Sequence, residues 1–457
     1  MAQKKKCAAS HGHGSLANRK AKKFILKPNI IITNTEKFDQ ISNGEEESTR
    51  KFNLSRCQHK KKKKNQICKG KSISNDNTHQ MEFHQVTRIH FQEEIMMDIL
   101  RRLPVRSLLR FKCVSKFWKS LINDPYFRRT HYIHNRDDQN SQKLLTIERL
   151  FMKDFDFYTC SLSMREDKQK LDWPSSCKPK IALIFCSCDG LVLTLVSSGG
   201  YYEELVLWNP STRESRLLPH PEFPVRTCVC GLEYDATSED YKILAISLNA
   251  IDSSYTSIQL FSLKSGSWRR IGYPTGIKPK PVRGFMDSGM DYLAFLHGAF
   301  HWLAMSCSGY YTTVSFNISN EVYGEVPLLE QMFGVSPRCY IIDHGVSVLR
   351  GMLCFYSTHN HWTEGRIGTF KLWIMKDYGV RESWTKLIEI RDTNLFHSAR
   401  PKYMFADCEV LLQCKGNRCC NSIFTTSRGP FKLCPKCNIT KHGIVYAESF
   451  ISPNSLT

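Results

Sequence analysis

Long apolar runs are scarce in this chain of 457 residues. The longest, IALIFCSCDGLVLTLV at 181–196, is interrupted by Asp189 and Gly190. It falls short of the roughly 20 residues that a helix needs to cross a bilayer. The N-terminal MAQKKKCAASHGHG carries basic residues but not the apolar segment of a secretory signal. These absences argue against a membrane or secreted protein, and we expect a soluble protein of the nucleus or cytoplasm.

Motifs of known catalytic chemistry are also missing from the sequence. It contains no serine nucleophile elbow, no glycine-rich phosphate loop and no HExxH motif. His359 and His361 could share a metal, but no acidic or cysteine partner is near them in sequence, and we assign them to a surface hairpin loop. The sequence therefore offers no constellation of residues for an enzyme, and we expect no cofactor.

The 19 cysteines are scattered through apolar runs, as is typical of reduced, buried thiols in an intracellular protein. A zinc ribbon needs two close cysteine pairs. Cys434 and Cys437 form one pair, while Cys414 with Cys419, or Cys420 alone, forms an imperfect second. We interpret all of them as reduced thiols on strands and a turn and predict no metal site, with zinc as the alternative.

Acidic side chains are too few to balance the basic ones, and the net charge is +21. Residues 1–80 alone hold 19 Lys and Arg against 6 Asp and Glu, in runs such as KKK at 4–6 and KKKKK at 60–64. Like charges at this density oppose compaction, so we predict a disordered basic tail over 1–80. The tail is either a nuclear-import signal or a solvated segment without a dedicated reader.

Nucleic-acid binding through this tail and the basic helices that follow it is the alternative function. The helix SKFWKSLI at 115–122 argues against it, because aromatic bulk stands where a base-reading helix exposes polar side chains.

Residues 88–130 have a helical pattern that a proline interrupts. Apolar side chains recur every four residues at Phe91, Ile95, Ile99 and Leu103. Pro104 ends this helix, and two short helices follow over RSLLRFKCV and SKFWKSLI, with Ser115 as a cap and Asp124-Pro125 closing the last. A segment this short cannot bury all of its apolar side chains against one another. Part of its apolar surface must therefore face another domain or a partner.

The stretch EEIMMDILRRLPVRSLLRFKCVSKFWKSLINDPYF resembles the F-box, a small three-helix domain. The resemblance implies packing on the Skp adaptor of an SCF (Skp–cullin–F-box) ubiquitin ligase, and through it contact with a cullin and a RING protein. Carried over by position, the implied adaptor contacts are Phe91, Ile95, Leu103, Pro104, Leu108, Val114, Trp118 and Ile122. The family usually opens with Leu-Pro where this chain has Phe91-Gln92, which predicts weaker docking at most.

Residues 140–457 show a repeat instead of long amphipathic helices. A strand-like run, a polar turn and a closing run recur every 50 to 57 residues, as in LVLWNPSTRESRLLP at 205 and IQLFSLKSGSWRRIG at 258. Another strand pair precedes each, so each unit offers about four strands, the period of kelch-like propeller blades. KLLTIERLFMKDFDFYTCSL and the C-terminal HGIVYAESFIS are expected to form a sixth unit that closes the ring.

Phrases such as LWNPSTRE, GLEYDATSEDYKIL and AESFISP resemble the plant F-box-associated interaction domain. We therefore predict a multidomain α+β chain with a disordered tail (1–80), an all-α F-box (88–130) and an all-β kelch-like propeller (140–457). The order F-box then associated domain implies the substrate-recognition subunit of an SCF ligase, which is not itself an enzyme.

Loops between strands are where target recognition is expected. SSGGYYEE at 197–204 and SCSGYYTT at 306–313 each place a tyrosine pair beside glycine, and tyrosines make effective contact anchors. Tyr201, Tyr202, Tyr310 and Tyr311 are thus the candidate contacts for an unknown protein target.

Overall fold

A computed structural model of the protein shows short helices that pack on a ring of β-sheets. The structure describes residues 31–32, 93–149, 154–162, 168–174, 179–199, 203–247, 257–272, 277–278, 293–306, 310–333, 339–361, 367–392, 398–415, 421–426 and 440–455. The expected α+β organisation, helical and then all-β, is confirmed. No helix within these ranges is long and apolar enough to cross a membrane.

Four short α-helices come first among the described residues: α1 (Glu93–Arg101), α2 (Val105–Phe111), α3 (Lys116–Asn123) and α4 (Pro125–Asn135). Pro104 separates α1 from α2, and the Ser115 hydroxyl caps α3 by accepting from the Trp118 N–H at 3.2 Å. Three of these helices were expected. Asp124-Pro125 ends α3 as expected, since α3 stops at Asn123. The same pair begins a fourth helix that was not expected: the Asp124 carboxylate caps α4 and Pro125 occupies its first turn.

Two sheets are simple four-stranded antiparallel meanders. The first contains β5 (Ile181–Cys188), β6 (Leu191–Ser197), β7 (Glu204–Trp208) and β8 (Ser215–Leu218). The second contains β9 (Cys228–Asp235), β10 (Asp240–Ser247), β11 (Ile258–Ser262) and β12 (Ser267–Ile271). Their third and fourth strands are the repeated phrases at 205 and 258, so the predicted repeat is confirmed here.

Two further sheets carry an extra strand each. The third contains β13 (Ile277–Lys278), β14 (Ala294–Leu296), β15 (Ala299–Ser306), β16 (Tyr311–Asn317) and β17 (Tyr323–Val326). The fourth contains β18 (Cys339–Leu349), β19 (Met352–His361), β20 (Ile367–Met375) and β21 (Trp384–Asp392). The short β1 (Ile31–Ile32) pairs with the outer edge of β21.

The fifth sheet unites segments from both ends of the propeller sequence. Its order is β22 (Ser398–Met404), β23 (Val410–Lys415), β24 (Asn421–Thr425), β25 (Thr440–Ala447), β2 (Gln142–Arg149), β3 (Phe155–Ser161) and β4 (Gln169–Leu171). The expected pairing of β2 with β25 is confirmed, from Gln142 opposite Ala447 onwards. The two ends do not form a separate sheet, because Asn421 pairs with Thr440 and joins them to β22–β24.

The sheets close into a five-bladed β-propeller, counted by hydrogen-bonded sheets. The strands β25, β5, β9, β14, β18 and β22 contact one another in that order around the ring, and β22 returns to β25. Large apolar clusters fill the spaces between neighbouring sheets, with Phe157, Trp208 and Tyr446 between the fifth and the first. A blade therefore buries its faces only against its neighbours.

Tight turns between first and second strands repeat around the ring. Asp189 and Gly190 both have positive φ, 51° and 81°, as a two-residue type I′ hairpin requires. His297-Gly298 and Arg350-Gly351 repeat this turn. Because consecutive strands are antiparallel, these turns share one face of the ring, and the connections from second to third strands lie on the opposite face.

Candidate adaptor and target interfaces

Exposed apolar side chains are concentrated on the helices. Twelve large hydrophobic side chains are exposed among the described residues, and seven lie on α1–α4 and their connections: Ile95, Ile99, Phe111, Val114, Phe117, Tyr126 and Ile133. Apolar surface concentrated in this way marks an interaction site rather than scattered surface composition.

The predicted adaptor contacts differ in their accessibility. Ile95 and Val114 are 47 % and 68 % exposed, and Pro104 is also exposed. Leu103 and Trp118 are half-buried, with part of each side chain packed on the helical core. Phe91 lies outside the described residues.

Leu108 and Ile122 lie in the interior of the helical domain. Both are 0 % exposed and pack with Leu100, Val105 and Phe127. Their apolar character therefore holds the helices together and offers no surface to a partner in this structure.

Sequence reasoning omitted three exposed side chains from the contact set. Ile99 lies one helical turn after Ile95, a spacing that the sequence already showed. Phe111 and Phe117 each place their ring centroid 5.9 Å from that of Trp118, which forms an aromatic group across α2 and α3. That grouping depends on the angle between the helices and has no local signal.

Helix α4 seats the helical domain on the propeller face that carries the tight turns. The guanidinium carbon of Arg129 lies 4.1 Å from the centroid of the Tyr234 ring, at the end of β9. Burial, together with the Asp189 carboxylate to which Tyr132 hydrogen-bonds, raises the pKa of Tyr132. Tyr241 donates to the same Asp189 carboxylate at 2.7 Å. The helices therefore occupy one end of the ring.

The opposite propeller face carries the connections from second to third strands. Tyr310 precedes β16 on this face and is 68 % exposed. Tyr311 is half-buried, since its ring stacks on Phe333 with centroids 4.9 Å apart. Tyr201 and Tyr202 lie outside the described residues. Of the two described candidates, Tyr310 is therefore the better placed for contact.

A buried ion pair joins β18 to β22 and was not anticipated from the sequence. Arg400 Nε donates to Asp343 Oδ2 at 2.8 Å, and the Ser398 hydroxyl donates to the same oxygen. The two charged side chains are 6 % and 2 % exposed. Because both side chains are buried, the ion pair links the fourth and fifth sheets, and a substrate cannot reach either charge.

Other buried polar side chains accompany this pair. Burial lowers the pKa of Lys402 to about 7, and burial with the nearby Lys402 and Arg400 charges lowers the pKa of His442. No group of three or more His, Cys, Asp or Glu side chains suited to a metal occurs in the described part of the chain.

The histidines and cysteines that the sequence raised as metal ligands can be placed in part. The assignment of His359 and His361 to a surface loop is wrong, because both residues belong to β19. His359 is buried, and its Nε2 lies 2.8 Å from the Ser357 hydroxyl oxygen. Cys414 is buried in the apolar cluster between the fourth and fifth sheets, and burial raises its thiol pKa. Cys419, Cys420, Cys434 and Cys437 lie outside the described residues.

A helical domain with exposed apolar side chains, fixed on one face of a β-propeller, is the architecture of an F-box protein with a propeller receptor domain. The chain matches the F-box domain over residues 90–130 and the F-box associated beta propeller domain over residues 144–452. It belongs to this family of plant-type F-box proteins, whose general role is that of an SCF substrate receptor.

Relatives with curated names agree with this assignment. An F-box/kelch-repeat protein of Arabidopsis thaliana is 26 % identical over 379 residues, which cover 79 % of this chain and 96 % of that protein. The F-box protein CPR1 of Arabidopsis thaliana is 27 % identical over 320 residues, 65 % of this chain and 72 % of that protein. Among solved structures, TolB from Acinetobacter baumannii is 10 % identical with a TM-score of 0.44, covering 70 % of this chain and 73 % of that one. That last similarity says nothing about function.

Proposed function

We propose that this protein is the target-recognition subunit of an SCF ubiquitin ligase. A Skp-type adaptor binds the exposed apolar side chains of the F-box and connects the chain to a cullin and a RING protein. Catalysis of ubiquitin transfer belongs to those other subunits. The observation that carries the proposal is the group of exposed apolar side chains on helices whose inner faces are already packed.

The propeller face opposite the F-box is the proposed target-binding surface. A protein target held there lies on the far side of the ring from the adaptor. Tyr310, an exposed aromatic side chain on this face, is a proposed contact. Tyr201 and Tyr202 remain predictions from the sequence.

The basic tail is the proposed nuclear-import signal. Its lysine runs, KKK at 4–6 and KKKKK at 60–64, have the density of charge that such signals use. We therefore propose that the protein works in the nucleus as well as the cytoplasm.

Adaptor binding is tested by placing charge in the exposed apolar surface without touching the F-box core. The variant carries Ile95→Glu and Val114→Glu, both at exposed positions. Each glutamate would be desolvated without a partner on docking, so the Kd for a purified Skp-type adaptor should rise by roughly 100-fold or more. Isothermal titration calorimetry measures the Kd.

The matched control carries Val322→Glu and Val380→Glu, which are exposed valines on the propeller, 57 % and 47 % exposed. It should bind the adaptor as the wild type does. Equal binding by both double variants would contradict the proposal.

A further inference from the structure

The apolar core of the F-box contains a side chain from the far end of the chain. Phe450 is 1 % exposed and packs in one cluster with Leu100, Val105, Leu108, Ile122 and Phe127. Its ring meets the His131 ring edge to face, with centroids 5.2 Å apart, and the Lys112 ammonium lies 5.4 Å from its centroid. Helical segments α2, α3 and α4 thus close around a residue that follows β25.

The residues on either side of Phe450 are held by the propeller. The Asn209 side-chain amide donates to the carbonyls of Ser449 and Ile451, at 3.1 and 2.9 Å. Asn209 is itself 0 % exposed, and its Oδ1 accepts from the Ser211 N–H at 2.8 Å, which fixes the orientation of its amide. The Ile451 side chain packs in the large propeller cluster.

Close approach at Gly190 holds this segment in place from another side. A Cβ atom added to Gly190 would lie 2.2 Å from the Ser449 hydroxyl, so only glycine admits the segment here. The segment 449–451 therefore alternates as an extended chain does, with its outer residues fixed to the propeller and Phe450 directed into the F-box.

The fully buried core of the helices is small. They span 9, 7, 8 and 11 residues, and lengths of this order are marginal without tertiary packing. Six side chains form the buried cluster, and Phe450 is one of the two aromatic side chains in it. Removing such a ring leaves a cavity that the short helices cannot fill without moving.

We propose that Phe450 is a positioning residue for adaptor binding. Seated by Asn209 and Gly190, it completes the F-box core and fixes the F-box to the propeller. The docked geometry of the adaptor surface therefore depends on the C-terminal segment. This inference rests on the proposed adaptor binding for its function, but its structural part can be measured without an adaptor.

The test uses the full chain with Phe450→Ala and Phe450→Leu, and with Phe405→Ala as the matched control. Phe405 is 8 % exposed and belongs to a separate cluster in the propeller. Its truncation therefore removes a phenyl ring from a site outside the F-box core. Hydrogen exchange followed by mass spectrometry reports on α1–α4 and on the propeller strands separately, and calorimetry gives the adaptor Kd.

In Phe450→Ala, exchange in α1–α4 should accelerate on the order of 100-fold while β5–β12 stay protected. The adaptor Kd should rise at least about tenfold, since part of the binding free energy must then order the helices. Phe450→Leu should recover most of both properties. If the alanine variant does not fold, acceleration confined to α1–α4 in the leucine variant supports the proposal.

Protection of α1–α4 that is unchanged in Phe450→Ala would overturn the inference. So would equal loosening of the F-box in Phe405→Ala, because the effect would then not belong to Phe450. A wild-type chain that fails to bind the adaptor would contradict the proposed function alone, and the exchange result would still decide the role of Phe450.

Discussion

At the scale of single residues, buried histidines are expected to make the stability of the folded protein sensitive to acid. His301 on β15 is 0 % exposed, and its Nε2 lies 2.7 Å from the Tyr378 hydroxyl. Burial lowers the pKa of His301 to about 4, because the charged imidazolium would lose its hydration. Burial lowers the pKa of His131, His344 and His442 as well. These rings are therefore held neutral in the folded protein.

The sign of the pH effect follows from the His301 shift. Above the unfolded value of about 6.5, neither state binds the proton, and the stability is fully present. Between pH 6.5 and about 4, only the unfolded chain binds the proton. The free energy of unfolding therefore decreases as the pH is lowered through this interval, by about 3 kcal/mol for this residue. His301→Gln should be less stable at pH 7 but should lose less stability between pH 7 and 4.5, as measured by urea unfolding.

His220→Gln, a change of an exposed histidine on the propeller, serves as the control and should keep the wild-type pH dependence. A His301→Gln variant with the full pH dependence of the wild type would refute this account.

At the scale of elements, ring closure depends on strands from distant parts of the chain. β25 pairs with β2 along its length and contacts β5 of the next sheet. Without β25, β2 would lose its partner on this side, and the first and fifth sheets would expose the apolar faces that hold Phe157, Trp208 and Tyr446. A propeller blade has no other way to bury these faces.

Deletion of residues 440–457 should therefore unfold the whole propeller and not only its last strand. Limited proteolysis and circular dichroism check this, with a chain ending at Ser455 as the control. A truncated chain as protease-resistant as the control would show that the ring does not need closure by β25.

At the scale of the whole molecule, the two propeller faces have different tasks in the proposed function. The F-box occupies the face of the tight turns, and Arg129 and Phe450 fix it there. The proposed target surface lies on the other face. In the proposed function, the ring would therefore separate the adaptor from the target.

Residues 31–32, the part of the basic tail that the structure describes, pair with the edge of β21, Ile31 with Glu389 and Ile32 with Ile388. That sheet has four strands without them, so deleting residues 1–80 should shift the thermal midpoint by less than about 2 °C. It should also move a fluorescently tagged chain from nucleus to cytoplasm. A large loss of thermal stability would contradict the structural prediction. An unchanged nuclear signal would contradict the proposed import signal.

The amino-acid sequence by itself determined the local order of this protein. The strand–turn–strand phrases of the repeat, the Ser115 cap and the break at Pro104 depend on side chains a few residues apart, and the structure contains each of them. The F-box resemblance rested on the same short-range patterns.

Only the tertiary structure decided which apolar side chain faces which neighbour. Leu108 and Ile122 have the same local signal as Ile95, yet they are buried, because α4 and Phe450 cover them. The Arg400–Asp343 pair likewise joins residues 57 positions apart. Periodicity shows that a face is apolar, but ring closure, which brings residue 450 beside residue 108, determines what that face contacts.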